Sequence, residues 1–263
     1  MEQMKALLGM YSLRRWMAED LTGALGEAQR LGFDGIELAW YAGHPVAKVR
    51  QAVKDIGLDV WSCHTDVQEM LTGGDALFED VASFGARYVI ICHMTEEQRP
   101  GGAAFEKTVE QVARLSQRAR EQYGLTMLYH NHDFDLKIMP DGRRSLDHSY
   151  EAFDVLGELD TCWVELCGAS TVDYLQRYAG RIPLMHIKDF RHNAAASGLS
   201  SPAPGAEFCP LGMGALDFEA IFAAAQATGV KGTILEIDEP GSGYDARQCV
   251  ELGAKKMMQL LGR

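Results

Sequence analysis

Long hydrophobic runs are missing from this 263-residue chain. None reaches the roughly eighteen apolar residues that a membrane-spanning helix needs, and the N-terminus lacks a basic segment followed by an apolar core and a cleavage site. The cytoplasm is therefore the expected location, and no membrane partner is expected. Cysteines are few and scattered: Cys63, Cys92, Cys162, Cys167, Cys209 and Cys249 lack the short paired spacing of a zinc ribbon or redox motif. Reduced, space-filling thiols are expected, even at Cys162 and Cys167. Positive charge is also short. With 25 Lys and Arg against 37 Asp and Glu the net charge is -12, which repels nucleic acid and favours solubility. No Gly-x-Gly-x-x-Gly follows the first apolar run, which removes the usual dinucleotide fingerprint. No glycine-rich cradle leads to a lysine, and Arg14, Arg15, Arg143, Arg144 and Arg191 do not fix a phosphate site.

What is present is an ordinary globular balance, 47% hydrophobic and 24% charged. A chain of this length buries a large core, and residues 1–263 read as one domain. After a short apolar run at Ala6 to Tyr11, helical and strand-like patterns alternate. Helical spacing runs over Leu21–Leu31, Val46–Ile56, Ala76–Phe84 and Phe105–Tyr123, with Gly32, Gly57, Gly85 and Gly124 as stops. Between and after these lie strand-like runs at Gly35–Leu38, Leu58–Cys63, Tyr88–Cys92 and Leu125–Tyr129. A polar loop, Asp135 to Arg144, carries the turn signal Pro140-Asp141-Gly142. Beyond it come a helix near Tyr150–Leu156, a short strand ending at Asp160, a helix at Val172–Tyr178, and a strand at Ile182–Ile187. The Gly/Ala/Ser/Pro-rich stretch from His192 to Gly214 reads as a loop; a helix at Phe218–Ala227, a strand at Thr233–Glu236 and a helix at Ala246–Leu261 close the chain. Eight strands alternating with helices predict a closed (β/α)8 barrel of the TIM type, with an open doubly wound sheet as the alternative.

In such a barrel the chemistry sits at the carboxyl ends of the strands. Those positions hold Glu37, His64, His93, His130 with His132, Asp160, His186 with Lys188, and Glu236 with Asp238. Strand alternation puts His186 and Lys188 on one face and Ile187 on the other. A lone histidine of this kind is commonly a packed core residue; its repetition at several strand ends is not explained by packing. Nitrogen and oxygen ligands without thiolate suit Mn²⁺, Co²⁺, Mg²⁺ or Zn²⁺.

Five segments carry a family resemblance: Tyr-His-Asn-His-Asp-Phe (129–134), Glu-Leu-Asp-Thr-Cys-Trp (158–163), Arg-Ile-Pro-Leu-Met-His-Ile-Lys-Asp-Phe (181–190), Leu-Gly-Met-Gly-Ala-Leu-Asp-Phe (211–218) and Leu-Glu-Ile-Asp-Glu-Pro (235–240). In this order they resemble the xylose isomerase-like barrels. More closely, the chain is similar to the sugar phosphate isomerase/epimerase superfamily, which also holds inosose dehydratases, ketose 3-epimerases and apurinic endonucleases. The resemblance implies one divalent metal, Mn²⁺ before Co²⁺, Mg²⁺ or Zn²⁺, with ligands from the last four strand ends. By position these are Asp160, His186 and Glu236, with His130 where many relatives carry Glu; His132 and Asp135 stand as alternatives for that fourth ligand. Other roles stay open, with Asp160 as a helix cap and Asp238 as a partner that orients a ligand.

The same resemblance implies a sugar isomerase or epimerase that moves a proton next to a carbonyl through an enediolate. Glu236 is the first candidate base, His130 its opposite number, and Lys188 the group that neutralises the developing oxyanion or binds a hydroxyl. His132, His64, His93, Trp163, Glu37, Asp238 and Lys188 are candidate substrate contacts. Trp40, Tyr41 and Trp163 are read as sugar-stacking walls or barrel packing, and Gly212-Met213-Gly214 as backbone amides near the substrate or a plain turn. A neutral polyol or keto sugar fits the acidic balance, and a homo-oligomer is compatible. Three rivals are kept: a lyase of the inosose dehydratase or 3-keto-glycoside-cleaving kind, a sugar-binding barrel without catalysis, and, least, a phosphodiesterase on abasic DNA, which would need a basic face.

Overall fold

The structure, a computed structural model, describes residues 3–193 and 205–263. Eight parallel strands close a barrel: β1 (Lys5–Gly9), β2 (Gly35–Ala39), β3 (Val60–Asp66), β4 (Tyr88–His93), β5 (Thr126–His130), β6 (Leu156–Asp160), β7 (Leu184–Ile187) and β10 (Gly232–Leu235). They neighbour one another in chain order, and β10 pairs with β1 through Lys5↔Gly232 to Leu8↔Leu235. The closed barrel excludes the open-sheet alternative. Around it lie α1 (Arg14–Glu19), α2 (Leu21–Arg30), α3 (Val46–Ile56), α4 (Val67–Ser83), α5 (Phe105–Tyr123), α6 (Ser145–Ala152), α7 (Thr161–Leu166), α8 (Thr171–Arg177), α9 (Phe218–Thr228) and α10 (Ala246–Leu260).

Local chemistry explains most element ends. Helices α3, α5 and α9 stop at Gly57, Gly124 and Gly229, each in the left-handed conformation that glycine adopts without a Cβ clash. Asp66, Asp217 and Asp245 cap α4, α9 and α10 with side-chain bonds to free backbone N–H groups.

Four expectations are corrected. Helix α4 starts at Val67 rather than Ala76, because Gly73-Gly74 reads as a break; Gly74, at φ 54° and ψ -132°, kinks the helix without ending it. The sixth helix covers Ser145–Ala152 rather than Tyr150–Leu156, and Leu156 opens β6. Helix α7, absent from the expected elements, follows β6 directly, and Asp160 takes its open role as a helix cap by accepting from the N–H groups of Cys162 and Trp163. The expected loop from His192 to Gly214 contains a strand of an antiparallel hairpin, β8 (Asp189–His192) with β9 (Ala206–Cys209), registered from Asp189↔Cys209 to His192↔Ala206. Residues 194–204 lie outside the described residues.

Two apolar layers form. The larger fills the space between strands and helices, while Leu7, Trp61, Tyr88, Ile90, Leu128, Leu184 and Ile234 plug the amino-terminal half of the barrel interior. Two residues beyond Leu128, Leu184 and Ile234 on their strands stand His130, His186 and Glu236, and this lifts the chemistry to the carboxyl end. Among the described residues no helix is long and apolar enough to cross a membrane. The six cysteines are free, five of them buried.

Candidate active site

Above the plug the inward side chains form two tiers. The lower tier holds Glu37, His64 and Glu158, with the rings of His130 and His186 standing over it. His64 Nε2 lies 2.7 Å from Glu158 Oε2 and 3.1 Å from Glu37 Oε1. His130 Nδ1 is 3.1 Å from Glu158 Oε2, and His186 Nε2 is 2.8 Å from Glu37 Oε1. Ser62 Oγ donates to Glu37 at 2.7 Å. Carboxylates that accept from one nitrogen of an imidazole fix its tautomer and aim the other nitrogen. Here that leaves His130 Nε2 and His186 Nδ1 facing upward.

The upper tier holds Asp160, Lys188, Glu236 and Asp238. His186 Nδ1 lies 3.1 Å from Glu236 Oε2, and His130 Nε2 is 3.9 Å from Asp160 Oδ2. The Lys188 ammonium, 1% exposed, donates to Glu236 Oε2 at 2.7 Å and to Asp238 Oδ2 at 3.0 Å. It also sits 3.0 Å from Asp160 Oδ2. That distance makes an ion pair, but Asp160 Oδ2 has no hydrogen bond of acceptable angle. Trp163 and Phe208 cover the ammonium, with ring centroids 5.7 and 5.9 Å away.

Desolvation pushes every charge here toward neutrality, and the pairings decide which groups resist. Burial works against a charged His64 and His186, but the carboxylates of Glu37, Glu158 and Glu236 hold both imidazoles well above their ordinary value. Lys188 is raised in the same way by Asp160, Asp238 and Glu236. Burial opposes ionised Glu236, yet Lys188 and His186 pull it well below the usual range. His130 goes the other way, lowered by burial and by the positive charges of His186, His64 and Lys188. Glu236 is therefore ionised and His130 neutral, so both are in proton-accepting form.

A divalent cation has a fitting donor set. Asp160, His186 and Glu236 each bring a ligand atom within 4.8 Å of the others, as do His64, His130, Glu158 and His186 in the tier below. The upper set includes Asp160 Oδ2, which has the Lys188 ion pair but no hydrogen bond, and Glu236, which lines the open cup. In the lower set, three imidazoles already converge on Glu158 Oε2.

The cup opens into a cavity of about 590 Å³ lined by His64, His93, His130, His132, Trp163, Glu236 and Asp238, and further by Tyr11, Trp40, Asp66, Cys92, Phe208 and Glu239. Two buried atoms in this lining lack partners, His132 Nδ1 and Trp163 Nε1. Buried polar atoms without partners are uncommon and are where a ligand's hydroxyls bind. His93 stands exposed at the rim, edge-on to Phe134 at 6.3 Å.

Several expected contacts sit elsewhere. Glu37 is 2% exposed and lies under His186, away from the cavity lining. Asp135, an alternative fourth ligand, spends its oxygens on Tyr129 Oη at 2.6 Å and the His132 N–H at 2.9 Å, and burial raises its carboxyl to about 7. His132 stacks on Phe134 at 5.3 Å, its imidazole lowered to about 3 by burial and the Lys188 charge. The Gly212 and Gly214 amides donate to Asp189 Oδ2 at 3.0 and 2.8 Å, so they secure the loop to β8 rather than meet a substrate. A Cβ at Gly214 would come within 2.2 Å of Asp189 Oδ1. Glu158 was not among the expected site residues. Its signal was the Glu-x-Asp spacing with Asp160, which puts two carboxylates on one strand face.

Comparison with known proteins places the fold in a class. Residues 25–258 match the family described as xylose isomerase-like TIM barrel, and the chain belongs to that family. A curated relative, the inosose dehydratase of Geobacillus kaustophilus (strain HTA426), is 24% identical over 211 residues, 68% of each chain. A solved sugar phosphate isomerase/epimerase from Parabacteroides distasonis ATCC 8503 superposes with a TM-score of 0.74 at 21% identity, covering 97% of this chain and 98% of that one. The IOLI protein with a bound zinc atom superposes with a TM-score of 0.73 at 17% identity, covering 98% of both chains.

Proposed function

We propose that the chain is a divalent-metal-dependent sugar isomerase or epimerase, acting on a keto sugar or polyol-derived ketone by removing a proton next to the carbonyl. The observation that carries this reading is that Asp160, His186 and Glu236 each bring a ligand atom within 4.8 Å of the others, with Glu236 lining the cup. His130 is the candidate fourth ligand, its Nε2 3.9 Å from Asp160 Oδ2, and the zinc bound by the IOLI protein supports a metal in this fold. Manganese is the expected ion, with cobalt, magnesium and zinc as alternatives. When bound, such an ion supplies Lewis-acid polarisation of a carbonyl and acidifies the neighbouring C–H.

The protein's own groups do the rest. Glu236, ionised, accepts the proton; a positioned base contributes about a hundred- to ten-thousandfold. Lys188 stays charged and lies 2.7 Å from Glu236, where it offsets negative charge as an enediolate forms. His132 Nδ1 and Trp163 Nε1 take up substrate hydroxyls, and Trp163 with Phe208 keeps water off that wall. His130 is the candidate group on the opposite side: neutral, with Nδ1 against Glu158, its Nε2 would take a proton from solvent in the cup and pass it to the carbon, in place of binding the ion.

A second reading, dehydration by loss of a β-hydroxyl, is favoured by the inosose dehydratase relative. It starts from the same abstracted proton, and product analysis separates the two. The test is elemental analysis of protein purified without chelator, beside Asp160→Ala and Glu236→Ala, followed by deuterium exchange into keto sugars and inososes. Near-stoichiometric metal lost in both variants, with exchange in the native chain, is expected. No metal in any preparation, even with added Mn²⁺, overturns the reading in favour of a sugar-binding barrel.

A further inference from the structure

Beside the cup a second cavity of about 600 Å³ opens at the same end of the barrel. Trp40 and His64 line both spaces. The two therefore adjoin at these side chains, with Trp40 at the divide, and each falls in the size range of small-molecule sites, about 300–1,000 Å³.

The divide is held by an unusual backbone. Trp40, Tyr41 and Ala42 take φ values of 46°, 32° and 50°, three successive L-residues in the left-handed region. Such conformations persist only when the surroundings enforce them, and they gather at ligand sites. Here the turn leaves Trp40 45% exposed at the mouth, with an edge contact to Tyr11 at 6.1 Å. The opposite wall is the first part of α4, where Thr72, Gly73 and Ala76 are small and keep the space wide.

The lining has a chemical preference. It includes the carboxylates of Glu69 and Asp80 and neither lysine nor arginine, so a phosphate or other anion is repelled. The cup next to it likewise has no lysine or arginine in its lining. A neutral polyhydroxylated ring suits both, its C–H face packing on an indole and its hydroxyls reaching carboxylates.

We infer that the substrate is a glycoside of at least two sugar rings, the reacting ring in the cup and the second between Trp40 and α4. This rests on the reading of the cup as a sugar site. The test is calorimetric binding of D-glucose, maltose, cellobiose and lactose to protein purified without chelator, repeated on Ala76→Trp and Thr72→Trp. Each variant fills the second cavity from α4 without touching the cup, and the pair guards against one failing to fold. The expected result is that at least one disaccharide binds the native chain about tenfold or more tighter than glucose. Both variants lose that advantage and keep the glucose affinity. An equal affinity for one ring and two in the native chain, or an advantage kept by either folded variant, overturns the inference alone. Absence of all sugar binding removes it together with the sugar reading of the cup, whereas metal content and exchange test the metal chemistry separately.

Discussion

The same strands carry opposite chemistry at their two ends. Leu128 and His130 share a face of β5, Leu184 and His186 a face of β7, and Leu156 and Glu158 a face of β6, two residues apart in each case. The lower member of each pair needs only to fill volume. The upper member needs a direction, and each upper imidazole is aimed by a carboxylate from beneath. Stability and chemistry are thus stacked along the barrel axis rather than divided among strands, which makes them separable by mutation.

Several substitutions would sharpen or break that separation. Glu236→Gln is expected to cut proton exchange by roughly a hundred- to ten-thousandfold, with a small change in melting temperature because Lys188 keeps Asp160 and Asp238. A large loss of stability with modest loss of exchange would reverse the assignment of that tier. Leu128→Ala, in the plug, should lower unfolding free energy by about 2–5 kcal/mol in a denaturant titration, with exchange per folded molecule changed by no more than about fivefold, since base and donors are intact. Metal binding is the readout for Glu158→Gln. Loss of the carboxylate that aims His130 should weaken affinity about 10–100-fold, and an unchanged affinity would make the lower tier structural only.

The smallest expected effect lies outside both tiers. Glu207, on the hairpin over the mouth, is held down to about 2 by its bond to Arg191 and by the Ser242 N–H. Its folded value lies below the unfolded 4.5, so its contribution is present above that pH and fades as pH falls toward 2. Melting temperatures of the native chain and Glu207→Gln should diverge above pH 4.5, the native chain higher, and converge at lower pH. A gap that persists in strong acid would point to packing rather than charge.

How much of this was legible depended on whether a signal was local. Period-two alternation ending in His130, Asp160 and His186 pointed to the barrel and to side chains gathered at its carboxyl end, because side-chain direction along a strand follows from spacing alone. Glu158 escaped because its neighbour Asp160 stood where the resemblance put a ligand, and its partners His64 and His130 come from strands distant in sequence. Helix α4 was shortened by Gly73-Gly74, a pair with low helix propensity that the surrounding fold holds in place. The hairpin β8–β9 was hidden for the opposite reason: much of the stretch from His192 to Gly214 is Gly, Ala, Ser and Pro, and what orders its ends is Asp189, through amides some two dozen residues away. Tertiary bonds of that length leave no local periodicity.

Lys188 gives the barrel a permanent cation of its own. Small metalloproteins whose ligands repel one another stay unfolded until the ion arrives. Here Asp160, Glu236 and Asp238 surround an ammonium supplied by the same chain, so their mutual repulsion is answered as soon as β7 and β10 pair. The barrel thus offsets its own cluster of carboxylates with a charge from the same chain.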